Sequence, residues 1–127
     1  MTRSKETLRE TISNVAVRTD LSFAIGNFLD RFKTNPDPAL LTDEPALLSP
    51  SLGDGGYADA FVASTAAYLC QVHNIEAPAW VNAKCRMMPV PHFAAKSPAM
   101  KAILLQESPA AFRVRNLFVS ANALSRA

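Results

Sequence analysis

A chain of 127 residues with 49% hydrophobic and 19% charged residues is sized for one domain with an ordinary core, and its composition excludes intrinsic disorder. No apolar run reaches the roughly 18 residues needed to cross a bilayer, and two cysteines are too few for a disulfide scaffold. The net charge of +2 is unevenly spread: residues 34–60 carry five acids and no Lys or Arg, whereas residues 84–127 carry seven Lys or Arg against Glu107 alone.

Ser4, with Glu6 in the first turn, is placed to cap a first helix whose apolar positions are Leu8, Ile12 and Val15. Thr19 or Asp20 then caps a second, with Leu21, Ile25, Phe28, Leu29 and Phe32 on one face. Asn35-Pro-Asp-Pro38 ends it, and a single turn is expected through Leu40 and Leu41. Residues 42–56, rich in Pro and Gly, read as a mobile surface loop with another short turn near Leu47 and Leu48. Asp54 precedes the clearest helix, Tyr57 to His73, expected to be the central one. Its stripe is Tyr57, Phe61, Thr65, Tyr68, Leu69 and Val72, with Asn74 as its stop.

Prolines break up residues 75–96. A short helix is expected at Ala79–Lys84 and a strand, with no evident partner, near Arg86–Val90. Ser97-Pro98 and Ser108-Pro109 each read as an N-cap followed by a first-turn proline, opening helices at Pro98–Glu107 and Pro109 to about Arg115. Ser120 would cap a last helix ending at Arg126. The expected architecture is all-α: one domain over residues 1–127, a compact orthogonal bundle of about five short helices with proline-rich connections. Phe112, Phe118 and Leu124 make the C-terminal segment too apolar to lie outside the core.

Candidate chemistry is sparse. Cys70, His73, Cys85 and His92 form the one metal-like set, but their spacing fits no zinc module, so no metal or other cofactor is expected. There is no nucleophile elbow, and Gly53-Asp-Gly-Gly56 lacks the Lys-Ser/Thr of a phosphate loop. The chain is therefore read as a non-enzyme, and its charged N-terminus, with no signal-peptide h-region, reads as that of a cytoplasmic protein. The better candidates are Arg113, Arg115 and Asn116 beside Phe112 and Phe118, a mixture typical of interface hot spots and also suited to RNA. Trp80 and His92 complete the set, although Trp80 reads first as a core anchor. Neither Arg113 nor Arg115 falls on an apolar stripe, so reversing both charges is expected to leave the fold intact. The uneven charge has two readings, a basic surface for an anionic partner, or two halves that neutralise each other within the fold.

Ala77-Pro-Ala-Trp-Val81, Pro91-His-Phe93 and Ser108-Pro-Ala-Ala-Phe-Arg-Val-Arg-Asn-Leu-Phe-Val119, with the closing Ala-Leu-Ser-Arg, resemble a small bacterial domain. Ala24-Ile-Gly-Asn-Phe-Leu-Asp-Arg-Phe32 is similar to its amino-terminal helix. The family occurs alone or behind helix-turn-helix modules, and its stand-alone members are antitoxin-like proteins encoded beside nucleotidyltransferase-like toxin genes. Many relatives carry Trp where this chain has His92. The resemblance implies a non-enzymatic module that binds and neutralises or regulates such a partner through Trp80, His92, Arg113, Arg115 and Asn116. The alternative is a nucleic-acid-binding regulator using the basic C-terminal third.

Overall fold

The computed structural model describes residues 7–15, 18–53 and 55–120. It is about 60% helical, with a two-strand ladder as its sheet, so the all-α expectation holds. The helices are α1 (Leu8–Ser13), α2 (Arg18–Thr34), α3 (Ala39–Thr42), α4 (Ser49–Leu52), α5 (Tyr57–Val72), α6 (Pro98–Glu107) and α7 (Ala110–Arg113). Of these, α3, α4 and α7 are single turns, which takes the number beyond about five. Two 3-10 turns, Ala79–Asn82 and Lys84–Arg86, replace the short α-helix expected at Ala79–Lys84.

The expected caps at Ser4 and Asp54, and the helix expected from Ser120 to Arg126 with Leu124, lie outside the described residues. The cap seen on α1 is Thr7. Its Oγ accepts from the Glu10 N–H at 3.1 Å, and the Glu10 carboxylate accepts from the Thr7 N–H at 2.9 Å, closing a capping box. Because α2 starts at Arg18, Thr19 and Asp20 fall inside it rather than before it. Leu8 and Ile12 of α1 and Leu21, Ile25, Phe28, Leu29 and Phe32 of α2 are all buried, as their spacing requires. They form the larger core with Leu40, Leu41, Trp80, Val81 and the small residues of α5.

Helix α5 is central, packed against α2, α4, α7 and both 3-10 turns. Its expected stripe is only partly correct. Val72 is exposed and Tyr57, Phe61 and Tyr68 are half-buried, while Ala58, Ala60, Ala63, Ser64 and Ala66 are covered. Close neighbours sit where the side chains are small, so the helix is enclosed on more faces than its large residues indicate. Asn74 stops it as expected: it takes a left-handed φ of 56°, and the Ile75 N–H reaches back to the Cys70 carbonyl at 2.8 Å.

A second core of Ala60, Met88, Phe112, Leu117 and Val119 meets the first across Phe61, whose ring lies 5.6 Å from that of Phe112. The C-terminal segment therefore belongs to the fold through Val119. The strand lies at β1 (His92–Phe93), not Arg86–Val90, and pairs in parallel with β2 (Leu117–Phe118). A parallel pair needs a long crossover, here supplied by α6 and α7. The Phe93 and Phe118 rings stack at 4.7 Å across the ladder. Phe118 is 8% exposed. Phe118→Ala is expected to cost about 3 kcal/mol, read as a lowered urea midpoint.

Of the two Ser-Pro pairs, only the first acts as expected. Ser97 Oγ accepts from the Met100 N–H at 3.2 Å. Ser108 instead closes α6: its N–H donates to the Leu104 carbonyl at 3.1 Å. Its buried hydroxyl accepts from the Val119 N–H at 2.7 Å and has the Leu104 and Val119 carbonyls as acceptors. Ser108 thus ties the end of α6 to the residue after β2.

Candidate functional site

The five residues singled out from the sequence do not share one surface. Trp80 is buried, and its indole N–H donates to the Leu41 carbonyl at 3.0 Å, which makes it a core anchor. His92 is half-buried, its ring 4.8 Å from that of Tyr57 and its N–H bonded to the Asn116 carbonyl. Asn116 sits at φ 63° and donates its side-chain amide to the Met88 carbonyl at 2.9 Å, so it shapes the turn into β2. Arg115 is 2% exposed. Its guanidinium donates to the carbonyls of Val81 at 3.0 Å and Ala111 at 2.6 Å and to Asn82 Oδ1 at 3.4 Å. The expectation that both arginines can be reversed without harm is therefore corrected, because the absence of an apolar stripe around Arg115 in sequence does not keep it out of the interior.

Arg113 alone presents its charge to solvent. Its Nε donates to the Ser108 carbonyl at 3.2 Å, which sets it at the C-terminal end of α6, where a cation complements the helix dipole. Arg113→Glu should leave the unfolding midpoint within about 0.5 kcal/mol of the parent. A larger loss would show that the contact to Ser108 holds the α6–α7 corner.

Sequence reasoning passed over Arg86 and Asp59. Arg86 is 0% exposed and donates to the Pro45 carbonyl and to Glu44 Oε2 at 3.2 Å. It lies 3.9 Å from Asp59 Oδ1, with its guanidinium 5.1 Å from the Trp80 ring centroid. Asp59, 3% exposed, accepts from the N–H of Leu48 at 2.6 Å and from that of Ser49 at 3.3 Å. This network pins the loop expected to be mobile, and both Pro45 and Leu48 are buried. It also bears on the two readings of the charge pattern, for one cation of the basic stretch is neutralised within the fold. The acidic and basic stretches pair inside the fold at Arg86, and Arg86 and Arg115 are withdrawn from any basic surface. The exposed cations among the described residues of the C-terminal third are Lys84, Lys96, Lys101 and Arg113.

Three of those cations mark out α6. Lys96 precedes its cap, Lys101 lies one turn in, 5.8 Å over the Phe93 ring, and Arg113 sits at its far end. Leu104 is the buried residue of this ten-residue helix. Met100, Ile103 and Leu105 are each about half exposed, at 47%, 47% and 49%. Helices this short are marginal in water on their own and draw stability from packing an apolar face. Here most of that apolar area is left outward. A sequence signal existed, since Met100, Ile103 and Leu104 share one side of the helix and Leu105 lies on another, more apolar area than one buried contact needs.

Cys70 is buried, which raises its thiol pKa, while Cys85 is exposed. Among the described residues no three His, Cys, Asp or Glu side chains come together in a way that could hold a metal ion. No described helix is long and apolar enough to cross a membrane. No protein-family model, curated protein or solved structure matches the chain.

Proposed function

We propose that this protein acts by binding another protein rather than by catalysis, with the outward face of α6 as the docking surface. The observation that carries this reading is the exposure of Met100 and Ile103, three residues apart on one side of a helix held by one buried leucine. Apolar side chains gathered on a surface helix, rimmed by charge, suit an amphipathic helix laid in a partner's groove. Lys96, Lys101 and Arg113 around that face favour a partner whose apolar groove is edged by carboxylates. The resemblance of the 77–81, 91–93 and 108–119 segments to antitoxin-like proteins gives the partner its class, a nucleotidyltransferase-like toxin, and goes with a cytoplasmic setting. The burial of Arg86 and Arg115 removes charge from the nucleic-acid alternative, which stays as an outcome of the test.

The experiment is co-expression with the product of the adjacent gene, followed by co-purification of the parent and of Ile103→Asp. The parent should retain the partner. Ile103→Asp should keep the parental circular dichroism and lose affinity by about 2 kcal/mol or more, roughly thirtyfold. Retention by both proteins would move the interface off α6. Tight, steeply salt-dependent binding of nucleic acid by the isolated protein, with no partner complex, would replace the reading with the nucleic-acid one.

A further inference from the structure

Arg86 is neutralised within the fold, but the charges left on the surface are still sorted by sign along the chain. Residues 34–83 contain Asp37, Asp43, Glu44, Asp54, Asp59 and Glu76 and no Lys or Arg. Asp59 is buried against Arg86, whereas Asp37, Asp43, Glu44 and Glu76 are exposed. Residues 96–113 carry the opposite balance, Lys96, Lys101 and Arg113 against Glu107. Their three cations are exposed and stand on and around α6.

The acidic stretch also frames an apolar groove. A cleft of about 370 Å³ opens between α3 and residues 75–79. Leu41 and Cys70, both buried, lie at its base, and the exposed Pro38 and Ala77 stand at its edge. Glu76 belongs to its lining, and no Lys or Arg does. Asp37 and Asp43 adjoin its lining residues Pro38 and Thr42 in the chain. An apolar groove edged by carboxylates is the surface that the basic, apolar α6 calls for.

We infer that this groove receives α6 of a second copy of the protein, so that isolated chains associate head to tail. Met100 and Ile103, exposed and three residues apart, supply the apolar contact. The positive balance of residues 96–113 meets the carboxylates around the groove, whereas α6 against α6 would set cation against cation. Helix α6 packs on β2, and the groove lies between α3 and the segment after α5. The two patches are separate, so the contact is heterologous, reciprocated in a two-fold pair or continued through further copies. One short helix in a cleft buries less than a standard interface, so the association is weak and depends on concentration. It covers the α6 face, so that self-association and partner capture exclude each other. The inference shares with the docking reading only the exposure of α6, and it is tested on the isolated protein, so the two fail separately.

The test is sedimentation velocity of the isolated full chain from micromolar to millimolar concentration, at low and high salt. The average mass of the parent should rise above that of one chain with concentration and fall back with salt. Ile103→Asp removes the apolar contact of α6, and Ala77→Arg, at an exposed position of the groove, fills it with a cation. Each alone should raise the concentration needed for association at least about tenfold, with unchanged circular dichroism. Mixed in equal amounts, the two variants should form a pair and nothing larger, because one keeps the groove and the other keeps α6. A parent that stays monomeric, association insensitive to salt or to either variant, or a mixture no larger than its components would each overturn the inference. Self-association that persists where no partner complex forms would uphold this contact and overturn only the docking reading.

Discussion

Arg115→Glu is expected to prevent the protein from folding stably. The substitution places a carboxylate where three oxygens already converge, those of Val81, Ala111 and Asn82. All three lose their donor, and the new carboxylate faces those same oxygens. Leaving one buried acceptor unsatisfied costs about 1–3 kcal/mol, and an uncompensated buried charge costs more. The total of at least about 5 kcal/mol equals the lower end of the whole stability of a small domain. The check is soluble yield and the circular dichroism melt beside Arg113→Glu, which moves the same charge two residues away on the surface. Equal melts for the two variants would mean that the Arg115 guanidinium is not held inside.

Asp59→Ala is the second large effect. The carboxylate takes the N–H of Leu48 and of Ser49, the start of α4, and faces the guanidinium of Arg86. Removing it leaves a buried amide without an acceptor and weakens the compensation of a fully enclosed cation, since its remaining acid, Glu44, is 49% exposed. Breaking a buried pair from one side typically costs about 3–5 kcal/mol. Urea unfolding of Asp59→Ala should show a midpoint lowered by that amount. Asp59→Asn should fall between, because it keeps an acceptor for Leu48 and gives up the charge. If Asp59→Asn is as damaging as Asp59→Ala, the ionic part dominates. If it matches the parent, the hydrogen bonds to Leu48 and Ser49 are the whole contribution.

The site was less legible than the fold. Arg113 and Arg115 look alike in sequence, two basic residues flanking a valine, yet one caps a helix end in water and the other is sealed beneath the turn at Ala79–Asn82. Two of its three acceptors, Val81 and Asn82, lie 34 and 33 residues away, so its neighbours in sequence do not announce this. Asp59 was hidden in the same way. An acid among alanines on a helix reads as a solvated position until α4 and Arg86 are brought against it. The α6 face was visible as composition, four large apolar residues within one short helix, but its exposure was not.

What the sequence determined by itself is everything governed by near neighbours. Helical spacing of apolar residues set the buried faces of α1 and α2, Ser97-Pro98 set the start of α6, and Asn74 set the end of α5. The apolar load of Phe112, Leu117, Phe118 and Val119 committed the C-terminal segment to the interior. Tertiary structure alone decided which face of α5 is enclosed, which two-residue strands pair, and which charges go inside. The reason is range. A helix cap or an amphipathic stripe is satisfied within one or two turns. The partner of Arg86 at Glu44 lies 42 residues away, and a ladder of two residues per strand has no periodicity to read.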